Sequence, residues 1–278
     1  MPLVSLVVCL HGEREHLERL LQKSSECYDD LVVVHDGPDT TGIRDLVTAA
    51  GGRFFERPRE YQQEPHWAFA WQQTAHDWIL RLDADEFPSP EMKTWLWRFR
   101  EQPNPPPDIS GYTCSWPLWN GQQAISKKWP ADRKFLFNRQ RVRFFGMVEQ
   151  SPVADAHFQS LDFALQHQPV GRKAFGLRNI VFRKRAGQWR KCLARSLQGK
   201  PTDLPCWRWT DPTWPAEWEA IRQHPLLTAI RWLIRGPLAE MRNQWRIERR
   251  LFPFIALSYP LHRALICLLY WRLRQRTS

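Results

Sequence analysis

The sequence has no closely spaced cysteines. Its six, Cys9, Cys27, Cys114, Cys192, Cys206 and Cys267, are scattered, which excludes zinc-site spacing and offers no evident disulfide framework, so a reducing, cytosolic setting is expected. It also lacks an internal repeat and any long low-complexity segment. No basic leader precedes the short apolar run of "MPLVSLVVCLHGERE", which reads as a first strand and not a signal peptide. No recognised nucleic-acid motif appears. A glycine-rich loop is missing too. "CLHGERE" has one glycine and acidic neighbours, which speaks against a nucleotidyltransferase cradling a triphosphate.

What is present is an excess of positive charge. Among 278 residues, 40 are Lys or Arg and 29 are Asp or Glu, a net charge of +11. Such a surplus suits nucleic acid, anionic lipid or phosphate-bearing substrates. Tryptophan occurs 16 times, and arginine with tryptophan is the pairing of membrane interfaces.

The first hundred residues alternate between strand and helix patterns. The β-branched run from Leu3 to Leu10 predicts a strand buried on both faces, and a helical face follows in Leu17, Leu20 and Leu21. "DDLVVVHDGPDTTG" and "RFFERP" read as the second and third strands, with the helix "IRDLVTAAGG" between them. "HWAFAWQQTA" is a further helix, and "DWILRLD" a fourth strand. Units of this length imply right-handed crossovers and a mostly parallel sheet. "SGYTCSWPLW" and "RKFLFNRQRVRFFGMV" read as further strands.

Three polar clusters fall at strand ends: His11 to Glu13, His35 to Asp39, and Asp83 to Glu86. Ligands of open parallel sheets bind at such ends. Carboxylates as crowded as Asp83, Asp85 and Glu86 repel one another unless they are solvated or a cation holds them. Both readings are open for Asp83 and Asp85 taken alone, as a plain turn is for Asp36 before Gly37.

The segments "VSLVVCLHGERE", "LVVVHDGPDTTG" and "HWAFAWQQTAHDWILRLDADEF" resemble the start of a family 2 glycosyltransferase with the GT-A fold, of the bacterial lipopolysaccharide-core and cell-surface polysaccharide type. The resemblance covers roughly the first hundred residues and weakens afterwards. It implies an α/β, Rossmann-like, mostly parallel central sheet flanked by helices. It also implies inverting transfer from a nucleotide-sugar donor to a glycan or lipid-linked acceptor, with a divalent cation, Mn²⁺ or Mg²⁺.

By the same resemblance, Asp36 matches the acid that holds the nucleobase, and His11, Glu13 and Gly37 share that nucleotide-sugar-binding edge. His35 stands where many members carry a further Asp. Asp83 and Asp85 match the D-x-D carboxylates. Asp85 is expected on the metal, and Asp83 on the metal or on the ribose or donor sugar. Glu86 either turns outward or binds Arg81, and Arg57 either meets a phosphate or is a surface arginine. His167 matches a histidine that completes the metal shell or contacts a phosphate, the alternative being a structural histidine. Where the family has a His-Glu pair, this chain has Glu149-Gln150. Glu149 is the candidate general base, Asp132 the reserve, and a surface strand end the alternative. The Q-x-x-R-W motif of processive synthases is incomplete, since Thr228 replaces the glutamine before Arg231-Trp232.

Three regions are expected: a transferase domain over residues 1–200, a Trp- and Pro-rich connection over 201–224, and a basic amphipathic helical region over 225–278 that associates with an anionic membrane surface. A basic run, "QHQPVGRKAFGLRNIVFRKRAGQWRKCLARS", reads as a cationic helix face or simply a solvated helix. The apolar C-terminus from Leu251 is read mainly as interfacial half-helices broken by Pro253 and Pro260, over a packed helix or a membrane span. The expected location is the cytoplasm, at the inner face of the cytoplasmic membrane, with no nucleic-acid partner. The rival is a non-catalytic basic protein, membrane-surface or nucleic-acid-binding, on a similar sheet.

Overall fold

The computed structural model describes residues 1–102, 105–168 and 184–277. The chain forms two compact units, Met1–Arg172 with Pro205–Trp209, and Lys173–Leu204 with Thr210–Ser278.

In the first unit the strands are β1 (Val4–Leu10), β2 (Asp30–Asp36), β3 (Arg53–Arg57), β4 (Trp78–Arg81), β5 (Glu86–Phe87), β6 (Ile109–Ser115), β7 (Arg133–Asn138), β8 (Val142–Arg143), β9 (Val153–Ala154), β10 (His157–Ala164) and β11 (Gln166–His167). Its helices are α1 (Arg14–Ser24), α2 (Ile43–Ala49), α3 (Glu64–Gln72) and α4 (Pro90–Glu101). The main sheet has seven strands in the order β10-β6-β7-β4-β1-β2-β3. All pairings are parallel except those of β7, which runs antiparallel to β4 and β6. The expected mostly parallel sheet flanked by helices is the observed one.

Strand β1 is buried on both faces, which is why its sequence is continuously apolar. Val4, Leu6, Val8 and Leu10 pack with Leu17, Leu20 and Ile43 of α1 and α2. Val7 and Cys9 pack on the other face with Trp67, Ala70 and Trp71 of α3. Leu17, Leu20, Leu21 and Ser24 are the buried positions of α1, the spacing of a one-sided helix. Helix α4 starts where Pro90 follows Ser89, whose hydroxyl accepts the Met92 N–H at 3.2 Å, a side-chain cap on an otherwise unpaired donor.

The second unit is helical: α5 (Lys184–Ser196), α6 (Ala216–Gln223), α7 (Pro225–Glu248) and α8 (Pro253–Thr277). Part of the basic run, residues 169–183, lies outside the described residues. Within the expected 201–224 connection, Trp207, which belongs to the first unit, pairs there with Phe144, and α6 forms in the second unit where no element was expected. The expected break at Pro260 is absent, and α8 runs continuously through it. Proline is tolerated there because it sits at a close helix contact. A Cβ added to Gly236 of α7 would stand 2.7 Å from the Pro260 Cβ, and such tertiary packing overrides propensity. Among the described residues α8 alone, over Pro253–Arg276, is long and apolar enough to cross a membrane, and half of its most apolar stretch is buried in the protein.

Candidate functional site

Strand order reverses at β1, which lies between β2 and β4. The carboxyl ends of these three strands deliver His11, Asp36 and the Asp83–Glu86 turn to one rim.

At the end of β2, both oxygens of the buried Asp36 carboxylate are engaged. Arg59 Nη1 donates to Oδ2 at 2.6 Å, the Glu60 N–H to Oδ1 at 2.6 Å, and His66 Nε2 to Oδ1 at 3.0 Å. Burial alone would raise this carboxyl, but the bonds from His66 and Glu60 and the charge of Arg59 outweigh it and hold it below the usual range. His11 Nδ1 donates to the Asp36 carbonyl at 2.8 Å, and burial, with Arg59 adding, lowers the His11 imidazole.

His35 ties the two strand ends together. Its Nε2 accepts the Gly12 N–H at 3.1 Å, and its Nδ1 donates to the Gly37 carbonyl at 2.8 Å, which assigns a neutral ring. Gly37 has φ +94° and its absent Cβ would meet Arg59 Cδ at 3.1 Å, so a side chain there would be strained as well as crowded. Glu13 precedes α1, with an oxygen 3.4 Å from the His11 nitrogen. Arg57 lies over the Phe69 ring, 4.3 Å from its centre, a cation–π contact.

At the end of β4, the acidic turn is organised by a residue from another strand. Arg133, opening β7, donates to Glu86 Oε2 at 2.5 Å and to Asp83 Oδ1 at 3.2 Å. Glu86 Oε2 also accepts the Asp83 N–H at 2.8 Å. Neither expectation for Glu86 holds: it is fully buried and paired to Arg133, while Arg81 lies over the Trp67 ring at 4.1 Å. Burial pushes the Glu86 carboxyl upward, with Arg133 opposing. Burial likewise lowers the Arg81 guanidinium, to about 9.

Asp85 faces His167, whose Nε2 is 3.7 Å from Asp85 Oδ2. The pairing of β5 with β11 places them: His167 is opposite Glu86, and the Asp85 carbonyl accepts the Gln168 N–H at 2.9 Å. The His167 ring packs on Trp116 with centroids 4.4 Å apart. Among the described residues, no group of three or more His, Cys, Asp or Glu side chains is arranged to hold a metal. Asp85 and His167 could offer a cation one carboxylate and one imidazole, fewer donors than a closed protein site supplies.

Glu149 has φ +64°, and its N–H donates to Glu64 Oε1 at 3.1 Å. Burial pushes the Glu64 carboxyl up to about 7 against those backbone bonds, and the Asp83 and Glu149 charges add to the rise. Asp132 is exposed, immediately before β7, with φ +70°.

The structure thus gathers His11, Asp36 and Gly37 at one end of the rim, and Asp83, Asp85 and His167 at the other. Arg59, His66, Glu64, Trp116 and Arg133 are site neighbours that sequence reading missed. The one available signal was that a buried acidic turn demands a cation, without saying from where.

No family model and no curated protein matches the chain. Among solved structures, TarS of S. aureus matches over 70% of this chain at 12% identity and a TM-score of 0.37. The chain spans 43% of that TarS chain. The TarS 1–349 structure matches over 98% of this chain and 91% of its own, at 10% identity and a TM-score of 0.40. A 4-diphosphocytidyl-2C-methyl-D-erythritol synthase matches over 49% of this chain and 75% of its own, at 17% identity and a TM-score of 0.34. Likeness at this level assigns no residue a role, and the site stands on its own geometry.

Proposed function

We propose that the chain is a non-processive glycosyltransferase of the family 2 type, moving a sugar with inversion from a nucleotide-sugar to a glycan, lipid-linked or cell-surface polysaccharide acceptor. The observation that carries this reading is the placement of Asp36 and the Asp83–Asp85 pair at the carboxyl ends of β2 and β4, on either side of the strand where the order reverses. That is where open α/β sheets bind ligands.

In this reading Asp36, His11, Glu13 and Gly37 frame the nucleotide, with Arg57 toward its phosphates, and Asp83 contacts the ribose or donor sugar. Asp85 and His167 hold Mn²⁺ or Mg²⁺; their 3.7 Å separation is within the span of two ligands on one cation. When bound, the ion supplies Lewis-acid stabilisation of the departing diphosphate. Arg133 and Glu86 keep the turn in place. Glu149 takes the proton from the acceptor hydroxyl, steadied through its backbone by Glu64, and Asp132 is the reserve base. Thr228 in place of a glutamine supports single transfer over polymerisation. The proposed setting is the inner face of the cytoplasmic membrane.

The test is thermal stability of the protein with Mn²⁺ and a panel of nucleotide-sugars, because a ligand of the native state raises the melting temperature. Metal-dependent stabilisation by one nucleotide-sugar, lost in Asp85→Ala, is the expected result. Equal stabilisation of the wild type and the variant removes Asp85 from the metal site, and no stabilisation by any donor removes the transferase reading.

A further inference from the structure

Helix α7 carries its large apolar side chains on the outside. Its buried positions are Pro225, Thr228, Ala229, Gly236 and Gln244, all small or polar. Leu226, Leu227, Ile230, Leu233, Ile234 and Leu238 are exposed, the last two at 64% each. A helix of a water-soluble domain shows the opposite pattern. Scattered exposed aliphatics need no explanation, but a contiguous stripe marks an interaction surface. The orientation is held where Gly236 of α7 meets α8 with no room for a side chain against Pro260. At the start of α8, Phe254 is 72% exposed.

The charges on α7 state what the surface meets. Arg231, Arg235, Arg242 and Arg246 are exposed at intervals of four and seven, which lines them up along one flank of the stripe. The acidic residues of the helix, Glu240 and Glu248, are only half-exposed. The occupant must therefore take aliphatic side chains along the middle and anions along one side. A two-fold pair of these faces would bring arginine flanks into a shared interface, where like charges oppose association.

We propose that α7 lies in the plane of an anionic lipid bilayer, its Leu and Ile stripe at the acyl boundary and its arginines on the headgroup phosphates. The anchor is then α7, not the more apolar α8. Helix α8 turns Ala256, Ala264, Ile266 and Cys267 inward. Its Arg263 is buried, with Nε bonded to the Tyr259 hydroxyl at 2.8 Å, Nη2 paired to Glu217 at 3.0 Å and the guanidinium over Trp218. This deepens the transferase reading by placing the enzyme beside a lipid-linked acceptor, yet it is tested without any donor, so the two can fail separately.

The experiment is flotation of the full chain with vesicles of phosphatidylcholine alone or with phosphatidylglycerol added. The variants are L233Q/I234Q/L238Q, R231E/R235E and, on α8, L268Q. The wild type is expected to float with the anionic vesicles and to be released as salt rises from about 0.1 to about 0.5 M. Both α7 variants should lose at least about tenfold in binding, while L268Q binds as wild type. Unchanged melting temperatures keep misfolding out of the comparison, and exposed positions tolerate such changes. The proposal is overturned if the α7 variants bind as wild type, if L268Q is the one that loses binding, if bound protein resists salt and alkaline extraction as a spanning helix does, or if the wild type stays in solution as a dimer that the α7 variants dissociate.

Discussion

Arg133 and Glu86, 47 positions apart in the sequence, meet as a buried ion pair. The pair fixes the acidic turn, since the same Glu86 oxygen takes the Asp83 N–H. Truncating one partner strands the other charge away from water. Arg133→Met is expected to lower stability by about 3 kcal/mol in urea unfolding, and adding Glu86→Gln should restore part of it. A loss below about 1 kcal/mol would mean that the turn holds itself.

Glu64 sets a pH dependence with a definite sign. Its carboxyl is raised to about 7 in the fold, whereas an unfolded chain releases the proton near the ordinary value of about 4.3. Between those values the folded state holds more protons, so stability falls as pH rises through the window and levels off above it. Because Glu64 keeps partial exposure, the fall is set at about 1–2 kcal/mol. Metal-free wild type and Glu64→Gln, unfolded in urea from pH 4.5 to 8, should be closest in stability at the acid end, with the wild type falling relative to the variant as pH rises. Parallel profiles would contradict the shift.

His167→Asn is expected to weaken Mn²⁺ about tenfold or more in the presence of a nucleotide-sugar, leaving metal-free stability within about 0.5 kcal/mol. A metal titration followed by melting temperature reads this directly. Unaltered affinity assigns the imidazole to packing on Trp116.

The second unit offers a comparison of neighbouring positions. Gly236→Val forces atoms into the Pro260 contact and should cost about 1–3 kcal/mol. Ile234→Ala changes a similar volume two residues away, at a position 64% exposed, and should change stability by less than about 0.5 kcal/mol. Chemical unfolding followed by helical circular dichroism separates the two, and a large loss at Ile234 would place that side chain in a core.

The order of the first four strands was legible because each is a short apolar run with its own punctuation. A strand buried on both faces, such as β1, can hardly read otherwise. The positions of Asp36, Asp83 and Asp85 followed from where those runs stop. Arg133 and Glu64 were illegible for the opposite reason. Their partners lie 47 residues away at Glu86 and 85 away at Glu149, and nothing local records such pairing. In α7 periodicity revealed the apolar face, but not which way it points. A helical pattern is the same whether its stripe meets a core or a bilayer. Pro260 misled in turn, since its local cost is overridden by a contact with Gly236 that only the fold creates.

The reversed direction of β7 has a bearing on how this architecture diversifies. A strand running against its neighbours begins where they finish, so residues 116–132, which join β6 to β7, leave from and return to the rim that holds the acidic turn. Substitutions and insertions in that stretch can reshape what enters beside the acidic turn while every sheet pairing is kept. Loops of this kind accept change readily. Residues 117–128 can therefore be randomised to vary what the rim admits, leaving Trp116 and Arg133, which contact His167 and Glu86, as fixed posts.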